Sequence, residues 1–158
     1  MALRADEGAV NACRWGEVAH VRLLGNRLLE LDRFLSVLID EILGAVAGAD
    51  GQGAASPSLR NTARKLHQLD IMAGSDDARL RAIGRIAAIF RHCDGVIHNV
   101  AIHDDMRLAE GLQPLAVNIG ERGARLHMTP LTIVAICDFY REIGGRLLAL
   151  RGPSGAAS

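Results

Sequence analysis

A mainly α-helical fold, a bundle of four to five helices with a small β-hairpin before the last helix, is what this amino-acid sequence predicts. Three observations carry that expectation. The chain is 49% hydrophobic but only 3% aromatic, so its core is Leu, Ile, Val and Ala, which suits helices packed on helices. Val21, Leu24, Leu28, Leu31, Leu35, Leu38 and Ile42 step by 3, 4, 3, 4, 3 and 4 residues, which is the recurrence of one helix face. Ser75-Asp76-Asp77 and Thr129-Pro130 are helix-start signals: a capping side chain is followed in one case by first-turn acids and in the other by a proline tolerated at the first position. At 158 residues the chain buries most of its surface as one domain, read as residues 1–151.

The first helix spans about Asp6 to Gly48. Its seam reads either as the core stripe of a bundle or as a dimerising helix, three heptads being the least that argues for a coiled coil. Gly25-Asn26 is a place for a break or kink, since an interior glycine costs about 1 kcal/mol relative to alanine. Residues 48–58, rich in Gly, Ala and Ser with one Pro, predict a flexible connection. A second helix over 59–72 carries Arg60, Arg64, Lys65 and His67 as a basic face, expected to be solvated and the best local candidate for a phosphate track. The helix beginning at Ser75 continues through Leu80, Ile83, Ala87 and Phe90, and either ends at Gly95 or carries on to His98. A short helix is expected over 104–112. Residues 115–119 and 124–128 flank Gly120-Glu121-Arg122-Gly123 and read as the hairpin. The last helix runs from Pro130 to about Leu150, and residues 152–158 are expected to be a disordered tail.

Charge and cysteine usage exclude several functions. With 18 basic and 18 acidic residues the protein has no net charge to track nucleic acid by bulk electrostatics, so any such role needs a local site or a dimer groove. Cys13, Cys93 and Cys137 lack paired spacing, which argues against a disulfide scaffold or a zinc knuckle. No apolar run approaches a membrane span or a signal peptide. A cytoplasmic protein without membrane partners is therefore expected, and no cofactor is implied.

Chemistry is concentrated between Arg91 and Asp105, which holds three of the six histidines. His92, His98, His103 and Asp104 invite a metal-dependent hydrolase reading, but steps of six and five residues turn His92 and His98 about 120° apart on a helix, unlike the three- or four-residue step of a helical metal pair. The chain carries no GxSxG, no P-loop and no GxGxxG after a strand. Cys93 beside His92 does not share its helix face. Arg91 and His98, seven residues apart, would project from one face about 10 Å apart if the helix ran through them. There they could hold a phosphate between a guanidinium fork and an imidazole.

Phe90-Arg91-His92, five residues, then His98-Asn99, followed by an acidic spacer, a Gly-turn hairpin and a final amphipathic helix, resembles the HEPN superfamily of small helical bundles. The likeness covers about Ser75 to Leu148, more loosely the first helix. It rests on an Arg, a polar residue beside it and a His after a short gap, matched here by Arg91, His92 and His98. The resemblance implies a metal-independent endoribonuclease, often a toxin held in check by an antitoxin partner, with the motifs of two protomers meeting across a homodimer. Arg91 and His98 would be catalytic. His92 and Asn99 would orient the site or the RNA, and Arg60, Arg64 and Lys65 would extend its phosphate contacts. Cys93-Asp94 stands where the family more usually has Arg-Asn, which places a negative charge near the phosphate. The competing expectation is a non-catalytic dimeric helical interaction module.

Overall fold

The structure is a computed structural model that describes residues 3–49, 62–115 and 121–150. Its elements are α1 (Leu3–Ala49), α2 (Thr62–Gln68), α3 (Asp76–His92), α4 (Ile102–Ala109) and α5 (Pro130–Leu150). α1 packs on α3 and α5, α4 lies against α3, and α2 bridges α1 and α3. The connection beyond residue 49 and the tail from 151 onward lie outside the described residues.

α1 has 47 residues, about 70 Å of helix. Its heptad stripe turns inward: Leu28, Leu35 and Ile42 are buried, while Val21, Leu31 and Leu38 pack against the core. The stripe is thus the bundle's own seam. α1 is not broken at Gly25, where α3 crosses it. A Cβ on Gly25 would stand 2.8 Å from Arg91 Cγ and 2.9 Å from Phe90 Cβ. The missing side chain lets the two backbones approach.

α2 is seven residues, shorter than the pattern suggested, because Asp70 takes a left-handed conformation with φ +53. Ala63 and Leu66 are buried. Lys65 is buried too, its ammonium 2.6 Å from Asp40 and 3.3 Å from Ser36 on α1. Lys65 therefore does not belong to the expected basic face, whereas His67 is exposed. Lys65 fastens α2 to α1 and is removed from any phosphate track, while Arg60 and the side chain of Arg64 lie outside the described residues.

Ser75 precedes α3, but its side chain makes no capping bond. Asp76, in the first turn, instead fixes the approach to the helix, accepting from the Ala73 N–H at 2.9 Å and from Arg146 at 2.5 Å. The inner face of α3 buries Leu80, Ile83, Ile86 and Phe90. The helix ends at His92. Gly95 N–H donates back to the Ile89 carbonyl at 3.2 Å, with Asp94 and Gly95 both left-handed at φ +48 and +77, a turn that closes the C-terminal end of the helix. Aspartate tolerates that region and glycine favours it, which decides between the two readings of Gly95.

The chain leaving this turn pairs at long range. Val96 forms an antiparallel bridge with Arg125, Ile97 N–H donates to Ala124 at 2.9 Å, and Leu126 N–H donates to Gly95 at 2.8 Å. The expected hairpin is a misreading of this segment. Among the described residues there is no strand, residues 116–119 lie outside them, and 124–126 pair with 95–97 rather than with their neighbours. Local turn signals could not show that partner.

α4 starts two residues earlier than expected, where the Asn99 carboxamide oxygen accepts from Ala101 N–H at 3.1 Å. Arg79 ties three elements together: it donates to the carbonyls of Ala109 and Ala135, each at 2.9 Å, and lies over the Phe139 ring. Thr129 caps α5, its hydroxyl accepting from Thr132 N–H at 3.1 Å, as the Thr-Pro signal predicts. Among the described residues no helix is long and apolar enough to cross a membrane.

Candidate functional site

Arg91 and His92 form the last turn of α3 and both are exposed. They stand at a cleft of about 100 Å³ between α1, α3 and α5, with Asp32, Gly84, Ala88 and Tyr140 among its other walls. His98 and Asn99 lie past the left-handed turn, both exposed. The helix face that was to carry Arg91 and His98 together does not exist, because Asp94-Gly95 reverses the chain between them. Asn99 borders a second cleft of about 430 Å³, lined also by Arg85, Ala88 and Asp105. Ala88 lines both clefts, so they adjoin along the outer face of α3, with Arg91 and His92 at one and Asn99 at the other.

The charge on Asp94 is resolved in an unforeseen way. Its carboxylate accepts from Arg22 Nε at 2.9 Å, which draws the negative charge toward α1 and offsets it with a cation. Several other described arginines are committed in this manner. Arg85 grips the buried Asp105 with bonds of 2.8 and 2.5 Å, Arg81 pairs with Asp77, and Arg141 pairs with Asp138. Arg91, His92 and His98 carry no hydrogen bond or ion pair among the described residues.

Asp32 and Tyr140 are members of the first cleft that sequence reasoning missed. Burial pushes the Asp32 carboxyl above its ordinary value, against the bond it accepts from the Thr62 hydroxyl at 3.4 Å. Burial, with the nearby Asp32 charge, also raises the Tyr140 hydroxyl. A signal was present: Asp32 lies one turn from Leu28 and Leu35, so a carboxyl had to enter the inward half of α1. A carboxyl raised in the fold stabilises the protein fully below its unfolded pKa, and that contribution is lost as pH rises through the folded value. Asp32→Asn should therefore melt a few degrees above wild type at neutral pH and match it in acid, as thermal melts across that range will show. Equal melting at every pH would mean that Asp32 is solvated.

The metal reading finds no geometry to support it. Among the described residues no group of three or more His, Cys, Asp or Glu side chains converges. Asp104 instead accepts from Leu115 N–H at 3.1 Å, and His103 turns its Nε2 into the interior without a hydrogen-bond partner. Cys93 and Cys137 are free thiols. Comparison with protein-family models, curated proteins and solved structures finds no match.

Proposed function

We propose that this chain is a HEPN-like helical protein that binds RNA and cleaves it without metal, through Arg91 and His98. One observation carries the reading. Arg91, His92 and His98 are all exposed and uncommitted among the described residues, while Asp94, the acid between them, is neutralised by Arg22. An arginine fork is suited to the equatorial oxygens of a phosphodiester, where charge builds as the reaction proceeds. His98 takes the proton of the ribose 2′-hydroxyl. The 2′-oxygen then bonds to phosphorus, the bond to the 5′-oxygen breaks, and that oxygen leaves with a proton from solvent. The products are a 2′,3′-cyclic phosphate and a 5′-hydroxyl. His92 orients the phosphate beside Arg91. Cleavage at a site of this size calls for RNA bent or single-stranded enough to reach both segments.

The test is incubation of the purified protein with a labelled RNA of mixed sequence in excess EDTA, followed by analysis of the new ends. Cyclic phosphate ends that persist in the chelator support the reading, and an intact RNA overturns its catalytic part. Arg22→Ala supplies an internal control. It frees the Asp94 carboxylate beside the phosphate, so RNA affinity should drop several-fold at low salt, whereas an exposed ion pair of this kind contributes at most about 1 kcal/mol to stability. Unchanged affinity would place the RNA away from Asp94.

A second reading, a helical interaction module without catalysis, is favoured by the division of the motif. α3 ends before His98, and the Asn99 carboxamide is spent at the start of α4. RNA retained on the protein but never cut would select it.

A further inference from the structure

α1 carries a second periodic stripe, on the side away from its core. Leu23, Arg27, Glu30, Phe34, Val37 and Glu41 recur at steps of 4, 3, 4, 3 and 4, and each is exposed. Its apolar members are unusually bare. Phe34 is 71% exposed, Val37 54% and Leu23 51%. Scattered surface leucines need no explanation, but a phenylalanine standing clear on a helical stripe leaves a large apolar area in water. Behind Phe34 a groove of about 450 Å³ opens between α1 and α5, walled by Leu24, Leu31, Met128, Ile133 and Cys137. Val134, 55% exposed, extends the same apolar ground one turn along α5 from Cys137. Phe34 and the groove it borders thus form one continuous apolar ground, the kind of patch that two copies can share across a two-fold axis.

The charges on the stripe say what covers it. Arg27 and Glu41 each lie seven residues from Phe34, on opposite sides. Neither forms an ion pair among the described residues. An antiparallel copy of α1 centred on Phe34 sets residue 27 of one chain opposite residue 41 of the other. Each Arg27 then meets the other chain's Glu41, twice over by symmetry, about 10 Å to either side of the centre. The two Phe34 rings meet at the axis. A parallel copy would bring Arg27 against Arg27 and Glu41 against Glu41.

We infer that the outer face of α1 is the interface between two copies of this chain, paired antiparallel about Phe34. This dimer does not rest on the RNA reading. At 100° per residue the groove residues Leu24, Leu31 and Phe34 fall on one flank of α1, and Leu29 and Asp32, which share the cleft of Arg91 and His92, fall on the other. The interface therefore leaves Arg91 and His92 open, and it is not the one across which the family resemblance would bring two motifs together.

Sedimentation velocity of the full chain over a range of concentrations tests the pairing, because every substitution lies on the exposed face and leaves the core intact. Wild type should sediment as a dimer. Phe34→Asp should weaken it by about 100-fold or more, as loss of a central aromatic anchor does. Arg27→Glu and Glu41→Arg, each of which turns two attractive contacts into repulsive ones, should weaken it by about 10-fold. The double variant carrying both should recover the wild-type constant. A wild-type protein that stays monomeric overturns the inference, and so does a dimer indifferent to Phe34→Asp. Single reversals that the double variant fails to rescue overturn the antiparallel register about Phe34.

Discussion

RNA cleavage by the His98→Ala variant should fall about 100- to 10,000-fold, the range expected when a positioned acid or base is removed. Stability should be unchanged, since His98 is exposed and carries no hydrogen bond or ion pair among the described residues. Arg91→Ala should lose both binding and rate, because the guanidinium holds the phosphate before and during the displacement. Its stem also packs over Gly25, so alanine removes packing along with charge. Arg91→Lys separates the two effects. It keeps a long aliphatic stem and a positive charge but replaces a planar fork with a point charge, so it should retain the wild-type melting temperature and much of the RNA affinity while its turnover stays depressed. Single-turnover cleavage and filter binding on the same preparations read both quantities. A His98→Ala protein that cuts as fast as wild type removes His98 from the reaction. An Arg91→Lys protein with full turnover reduces Arg91 to a binding cation.

Where a residue's role depended on its own turn or the next, the sequence showed it. The inward stripe of α1 and the Thr129-Pro130 start of α5 depend on neighbours three or four residues away, and both appear where the pattern placed them. The end of α3 was undecidable for a physical reason: a glycine in a helix and a glycine closing one look alike until the backbone is seen, and Asp94 joined Gly95 in the left-handed region. That single turn separated Arg91 from His98. Long-range pairings were hidden altogether. The partner of residues 124–126 is 95–97, the partner of Lys65 is Asp40, 25 residues away, and the partner of Asp94 is Arg22, 72 residues away. Each pairing consumes a charge or a backbone group that local reading leaves available. The exposed stripe about Phe34 was legible as periodicity but was masked by the stronger stripe that runs beside it on the same helix.

Gly25→Val should destabilise the protein by about 2–3 kcal/mol, within the range for overpacking a filled contact, and lower its melting temperature by roughly 5–10 °C for a chain of this size. Helix propensity works the other way, since valine is slightly better than glycine in a helix interior, so any loss measures the crossing itself. The Cβ would sit 2.9 Å from Phe90 Cβ and 3.1 Å from the Arg91 amide nitrogen. Arg91 Cγ can swing outward, but Phe90 is 1% exposed and a backbone nitrogen cannot be turned aside. α1 and α3 must therefore separate, and valine's two methyl groups widen the gap further than alanine would. Gly25→Ala gains about 1 kcal/mol of propensity against the same first contact and should fall between valine and wild type. Urea unfolding orders the three. A valine variant as stable as wild type would mean that the helices do not meet at Gly25. If they do, the displacement lands on the residue that follows Phe90, so Gly25→Val should also cut more slowly than its remaining folded fraction accounts for. Stability and site geometry would then be linked through the same close approach, because the glycine that lets α3 seat on α1 is the one that fixes where Arg91 stands.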